Sequence, residues 1–375
     1  MNRLQAVHAL GQSLWLDYIR RDLLTGSGLR RLIEDDAISG LTSNPAIFEK
    51  AIGGSADYDE ALQALVRSGL REPAELFERI AIEDIRLAAD EFRKTYDGTR
   101  AADGYVSLEV SPRLAHDTEA TVAQARRLWQ AVGRDNLMIK VPGTPAGVDA
   151  VRTLIGEGIN VNVTLLFSRQ AYGAVAEAYI DGVERWTQRG GEAGRIASVA
   201  SFFVSRIDAA MDAELARRSA AGGTDAARFE ALLGRVAIAN ARLAYQDYKA
   251  LYATPRWQTL AQQHRARPQR LLWASTGTKN PKFRDTLYVE ELIGVDTVDT
   301  VPPATLDAFR DHGEARSSLE HAIGDAQAVF DEIDALKLPF TAVVERLVAE
   351  GVQLFVDADD KLLAAVAKKR DAIAA

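Results

Sequence analysis

Eight short runs rich in Val, Ile or Leu recur along the chain, each followed by a stretch with helical periodicity. They are LWLDYI from Leu14, GLTSN from Gly40, YVSLEV from Tyr105, NLMIKV from Asn136, NVNVTLLF from Asn160, RIASVASFFV from Arg195, RLLWAST from Arg270 and VDTVDTV from Val295. Strand-like runs alternating with helical patterns read as a parallel sheet with crossover helices. Eight is the count that closes a barrel. The expected fold class is therefore α/β, a (β/α)8 TIM barrel with additional helices at the rim and C-terminus.

The intervening segments support this reading. PAELFERIAIEDIRLAADEFRKTY opens on Pro73 and repeats apolar residues at Leu76, Ile80, Ile85, Ala88 and Phe92, roughly one helical face. HDTEATVAQARRLWQAV begins after Asp117, a good N-cap, with Glu119 in its first turn and Arg126 and Arg127 later. The distance from Phe203 to Arg270 exceeds one crossover helix. Gly222 and Gly223 divide it into amphipathic pieces, and the mainly helical stretch 212–268 reads as an insertion at the barrel rim. The C-terminal segment, about 339–372, is a long helical pattern with Gly351 as the expected break, suited to covering one end of the barrel. At 375 residues and 47% hydrophobic, the chain can bury one large core, so residues 1–375 are expected to form a single barrel domain.

A formal charge of −8, with both signs mixed along the chain, lacks the clustered positive footprint of a nucleic-acid surface. The absence of cysteine excludes disulfides, thiolate metal sites and cysteine nucleophiles. Gln12, Ser13 and Asp17 interrupt the N-terminal apolar positions, and no run elsewhere approaches a membrane span, so a soluble cytoplasmic protein is expected. The five histidines show no spacing of three or four residues, which argues against a histidine metal site. GSGLRR at Gly26 has only two of the three glycines of a dinucleotide fingerprint, and no Walker loop is present. No metal and no cofactor are expected.

One charge stands out. Lys140 interrupts the apolar run NLMIKV, which ends in Pro142-Gly143. A lysine at a strand end can snorkel its ammonium to solvent. At the C-terminal end of a barrel strand, however, it points into the face that carries the active site of essentially every characterised barrel enzyme. Burial there disfavours the charged form of an amine, and a neutral amine can attack a ketone to form a Schiff base. Other strands carry partners for that chemistry. Asp17 ends one apolar run and Glu109 another, while Asn162 and Thr164, two residues apart, share one strand face. A carboxylate can remove a hydroxyl proton during carbon–carbon cleavage, and the polar groups can hold sugar hydroxyls or relay a proton. Each also has an ordinary structural use, as a turn cap for Asp17, a solvated group for Glu109 or a proline-set turn for Asn44.

These residues resemble the transaldolases, in their long bacterial form. GLTSNPAIF, Gly40 to Phe48, is similar to the family's D-A-T-T-N-P-S-L-like motif, with Leu41 in place of an alanine and Ser43 in place of a threonine. LMIKVPGTPAGVDAVRTLIGEGINVNVTLLFS, from Leu137 to Ser168, matches its Schiff-base motif and the following strand. With VSLEVSPRLAHDT and FVDADDKLL, the resemblance runs from about residue 13 to residue 370. It implies a circularly permuted barrel with the reactive lysine on the fourth strand, where the count above also puts Lys140.

The resemblance further implies that Lys140 forms an imine with carbon 2 of a ketose phosphate and that Asp17 takes the proton from the hydroxyl at carbon 4. Glu109 and Thr164 would hold a catalytic water, and Asn44, Asn162 and Ser201 would bind donor hydroxyls. Phe203, which stands where fructose 6-phosphate aldolases carry tyrosine, would line the substrate site. Arg206, with Lys279 and its neighbour Ser275, would clamp the phosphate. Lys279 follows a Gly-Thr insertion where shorter members carry an arginine. The implied reaction moves a dihydroxyacetone unit from sedoheptulose 7-phosphate to glyceraldehyde 3-phosphate, giving erythrose 4-phosphate and fructose 6-phosphate, within the pentose phosphate pathway. Family members occur in several assemblies, so a homo-oligomer is compatible with the resemblance.

Two alternatives compete. Fructose 6-phosphate aldolases look similar around the lysine but carry Gln at the Glu109 position, so Glu109 and Phe203 together favour transfer over simple cleavage. A noncatalytic phosphosugar-binding barrel would keep the anion clamp, and intact Lys140, Asp17 and Glu109 argue against it.

Overall fold

The computed structural model describes residues 1–374. Its eight strands are β1 Gln12–Asp17, β2 Ile38–Thr42, β3 Tyr105–Glu109, β4 Leu137–Pro142, β5 Val161–Leu166, β6 Ser198–Phe203, β7 Arg270–Ala274 and β8 Thr297–Val301. All pair in parallel and in sequence order, and β8 returns to β1, so the sheet is a closed (β/α)8 barrel with helices around it. Closure requires each strand to be buried on both faces. The apolar runs meet that demand, and only the strand-end residues Asp17, Glu109 and Arg270 are less than fully buried.

Local chemistry sets the helix starts. Asp117 accepts the Ala120 amide at 2.9 Å to open the helix Thr118–Val132, and Gly133 closes it in the left-handed conformation. Asn44 and Thr144 cap the helices Pro45–Gly53 and Pro145–Ile155, each with proline in its first turn. The segment between β6 and β7 contains four helices, Ser205–Ala220, Ala226–Leu232, Val236–Tyr252 and Pro255–His264. The third is packed along most of its length. Its first turn is held by Asp208, whose Oδ1 accepts the Ala237 amide at 2.7 Å.

The N-terminal end of the barrel is closed by a polar plug. Asp103 accepts bonds from Trp15 Nε1 at 2.8 Å and Ser39 Oγ at 2.9 Å and also bonds Ser13, which Arg270 contacts at 2.7 Å. Gly40 lies against this plug, and a Cβ there would stand 2.5 Å from the Trp15 ring.

The C-terminal segment departs from expectation at Gly351. A single helix, Phe340–Ala374, runs through that residue without a break. Gly351 is needed for close approach instead: a Cβ on it would lie 2.8 Å from Leu165 Cδ2. Leu165 occupies the left-handed region, φ 62°, where β5 slips register against β6. Such a conformation costs a leucine roughly 1–2 kcal/mol, and the helix packs directly on it. Among the described residues, no helix is long and apolar enough to cross a membrane.

Candidate active site

The C-terminal ends of the strands converge on Lys140. Glu109, Lys140 and Asn162 lie in register on β3, β4 and β5, so three polar side chains stand side by side across the barrel wall. Lys140 Nζ donates to the Ser43 carbonyl at 3.1 Å and lies 3.6 Å from Glu109 Oε2. The amine and the carboxylate are only 7% and 5% exposed. Neither oxygen nor nitrogen is therefore solvated as it would be on a surface, and each depends on the other.

Burial pushes Glu109 up to about 7, against the opposing pull of the Lys140 charge. Near neutral pH such a carboxyl is divided between acid and base, the condition for giving and taking a proton in one cycle. Asp17, at the end of β1, is also raised by burial. The charge of Lys140, a 2.8 Å hydrogen bond from Thr42 Oγ1 and the charge of Lys279 oppose that rise. Thr164 is fully buried on β5, and its hydroxyl has no partner among the described residues.

Asn162 belongs to a chain of polar contacts inside the barrel. Ser201 Oγ donates to its Oδ1 at 2.7 Å, and its Nδ2 donates to Ser107 Oγ at 3.0 Å. Those contacts fix which way the amide faces. Asn44 serves as helix cap through Oδ1, which accepts the Ile47 amide at 3.0 Å, leaving its amide group free of protein partners among the described residues.

A cationic region lies beyond β6. Arg206 sits in the first turn of the helix Ser205–Ala220, its guanidinium 5.2 Å from the centre of the Phe203 ring, and no carboxylate pairs with it among the described residues. Burial lowers its pKa, as expected for a cation short of counter-charge. Ser275 is left-handed, φ 58°, and its hydroxyl lies 2.9 Å from that of Ser205. Lys279 is exposed on the loop after β7, without a hydrogen bond or ion pair among the described residues, and its charge acts on Asp17.

The structure adds residues that sequence reasoning did not single out. Thr42 and Ser107 each lie two positions before a chosen residue, Asn44 and Glu109, and strand alternation was the available signal. Ser43 contributes a backbone carbonyl, which no side-chain pattern reveals. Phe355, on the C-terminal helix, holds its ring centre 5.7 Å from Lys140 Nζ. Beside Glu109 a cavity of about 210 Å³ opens, lined in part by Asn44, Phe48, Phe77, Arg113 and Asp359. Arg113 lies 3.6 Å from Asp359, whose carboxyl burial also raises.

A buried lysine amine beside the buried carboxyls of Glu109 and Asp17, at the C-terminal mouth of a closed parallel barrel, places this chain among the (β/α)8-barrel proteins with a polar site at that end. The family model for transaldolase/fructose-6-phosphate aldolase matches residues 14–366, and the chain belongs to that family. Among similar proteins, transaldolase 2 of Nostoc sp. is 45% identical over 97% of this chain and 96% of its own length. The transaldolase of Trichodesmium erythraeum is 44% identical over 98% of this chain and 97% of its own. That of Thiobacillus denitrificans is 47% identical over 98% of this chain and its own full length.

Proposed function

We propose that this transaldolase carries a dihydroxyacetone unit as a Schiff base on Lys140, taking it from sedoheptulose 7-phosphate and passing it to glyceraldehyde 3-phosphate. One observation carries the reading: the buried Lys140 amine stands 3.6 Å from a buried carboxyl held up to about 7, in a barrel mouth that also contains Asp17.

Lys140 Nζ adds to carbon 2 of the ketose, and Glu109 supplies the proton that lets the carbinolamine oxygen leave as water. The unpartnered Thr164 hydroxyl offers a second anchor for that water. Asp17 then removes the proton from the hydroxyl at carbon 4. The carbon 3–carbon 4 bond breaks, its electrons pass into the iminium, and an aldehyde departs from the enamine. The acceptor aldehyde enters and the same steps run in reverse.

Asn44, Asn162 and Ser201 bind donor hydroxyls in this scheme, and Phe203 forms part of the wall. Arg206, with its unmatched charge, takes the phosphate together with Ser275 and Lys279. The chemistry asks for no metal or organic cofactor. A cytoplasmic place in the pentose phosphate pathway, without nucleic-acid or membrane partners, belongs to the same reading.

The test is borohydride reduction with fructose 6-phosphate, read by peptide mass, beside a coupled transfer assay. A reduced three-carbon adduct on the Lys140 peptide is expected, with transfer in Lys140→Ala lower by roughly 10³-fold or more. An unmodified peptide, or wild-type transfer in the variant, would overturn the scheme. Rapid multiple-turnover release of dihydroxyacetone without an acceptor would instead favour an aldolase.

A further inference from the structure

The C-terminal helix lays three residues of one face across the barrel mouth. Gly351, Phe355 and Asp359 are spaced four apart, so they follow one another along a single stripe. Gly351 meets Leu165 on the bulge of β5, Phe355 covers Lys140 Nζ, and Asp359 lines the cavity beside Glu109. Further along, Lys369 Nζ donates to the Ser55 carbonyl at 2.7 Å and Arg370 Nη1 to the Arg71 carbonyl at 2.7 Å. Held by the Gly351 contact on one side of Phe355 and by these bonds on the other, the helix keeps Phe355 as a fixed wall.

The neighbours of the amine differ in chemistry: Glu109 and the Ser43 carbonyl offer hydrogen-bonding groups, whereas the Phe355 ring offers none. A phenyl ring gives a nucleophilic lysine no proton and no strong counter-charge. What it does provide is apolar cover, which excludes water from the space beside the reacting nitrogen.

Resting on the Schiff-base reading above, we infer that Phe355 shields the enzyme-bound dihydroxyacetone from hydrolysis and so determines whether the unit is transferred or released. The competing step is balanced without any redox partner. The enamine takes a proton at carbon 3 and becomes the iminium. Water adds its oxygen to carbon 2, the carbon–nitrogen bond breaks, and free dihydroxyacetone leaves Lys140 as its amine. Transfer requires this step to be slow while the site waits for an aldehyde.

The experiment compares two rates with fructose 6-phosphate as donor. One is dihydroxyacetone release without acceptor; the other is transfer to erythrose 4-phosphate. Phe355→Ala is expected to raise the ratio of release to transfer by roughly tenfold or more, because water gains the vacated space. Phe355→Leu, which keeps an apolar side chain, is expected to stay within about threefold of wild type. Phe355→Gln is a good helix former that introduces a polar group, and it carries the test should the alanine variant not fold. A purely structural role would lower both rates in proportion. An unchanged ratio in a Phe355→Ala or Phe355→Gln variant that still transfers would therefore overturn the inference. Failure of the underlying reading looks different: wild type would show neither transfer nor a trapped Lys140 adduct.

Discussion

Arg206 shows how much a single residue's surroundings decide. A guanidinium without a carboxylate partner, partly withdrawn from water and stacked on Phe203, lacks counter-charge that an anionic ligand can supply. Charge-assisted hydrogen bonds of this kind contribute about 1.5–3 kcal/mol. Arg206→Ala is therefore expected to raise the KM for fructose 6-phosphate by about 10–100-fold with a much smaller change in kcat. Unphosphorylated fructose, used as a poor donor, should be almost indifferent to the substitution. Equal losses with both donors would remove Arg206 from phosphate binding. At this scale, the strand-end positions of Asp17, Glu109 and Lys140 were legible because a charge in an apolar run is conspicuous. The conformations of Leu165 and Ser275, both with positive φ, carried no comparable signal, since neither residue type favours that region.

The long C-terminal helix shows why an element can be foreseen while its local detail is misread. Beside Val343, its buried positions Val344, Leu347, Gly351, Phe355, Asp359, Leu362 and Val366 fall three or four residues apart and form one face. Glycine has low helix propensity, which made Gly351 an expected break. Packing overrides that local preference, because the missing side chain lets the helix seat against Leu165. Gly351→Val should therefore lower stability by about 1–3 kcal/mol through overpacking. Combining it with Leu165→Ala should recover part of the loss in a double-mutant cycle read by denaturant unfolding. Strict additivity of the two changes would show that the contact does not couple them.

Across the whole molecule, closing the barrel buries acids far apart in sequence. Glu109 and Asp208 are pushed up to about 7, and Asp299, fully buried on β8 with one oxygen unpartnered, to about 8. Asp299 binds its proton more tightly in the folded chain than at its ordinary value of 3.8. Its contribution to stability is therefore full below pH 3.8, declines as pH rises through the interval to about 8, and is lowest above that. Wild-type Tm should fall between pH 6 and pH 9. Asp299→Asn does not titrate, so its fall over the same interval should be smaller by roughly 2–4 °C, which corresponds to about 2–3 kcal/mol at this site. Parallel Tm curves for the two proteins would exclude Asp299 as a source of the dependence.

The number and order of the strands, the approximate helices between them and the strand ends that carry charge are all legible in the linear chain. Each of these is written in local periodicity and turn chemistry, which act over a few neighbouring residues. That Ser107, Asn162 and Ser201 form one hydrogen-bonded chain, that Glu109 is held up to about 7, and that Phe355 covers Lys140 follow from the folded arrangement alone. Burial and electric field at a point are sums over every segment that folds around it, and no stretch of sequence contains that sum.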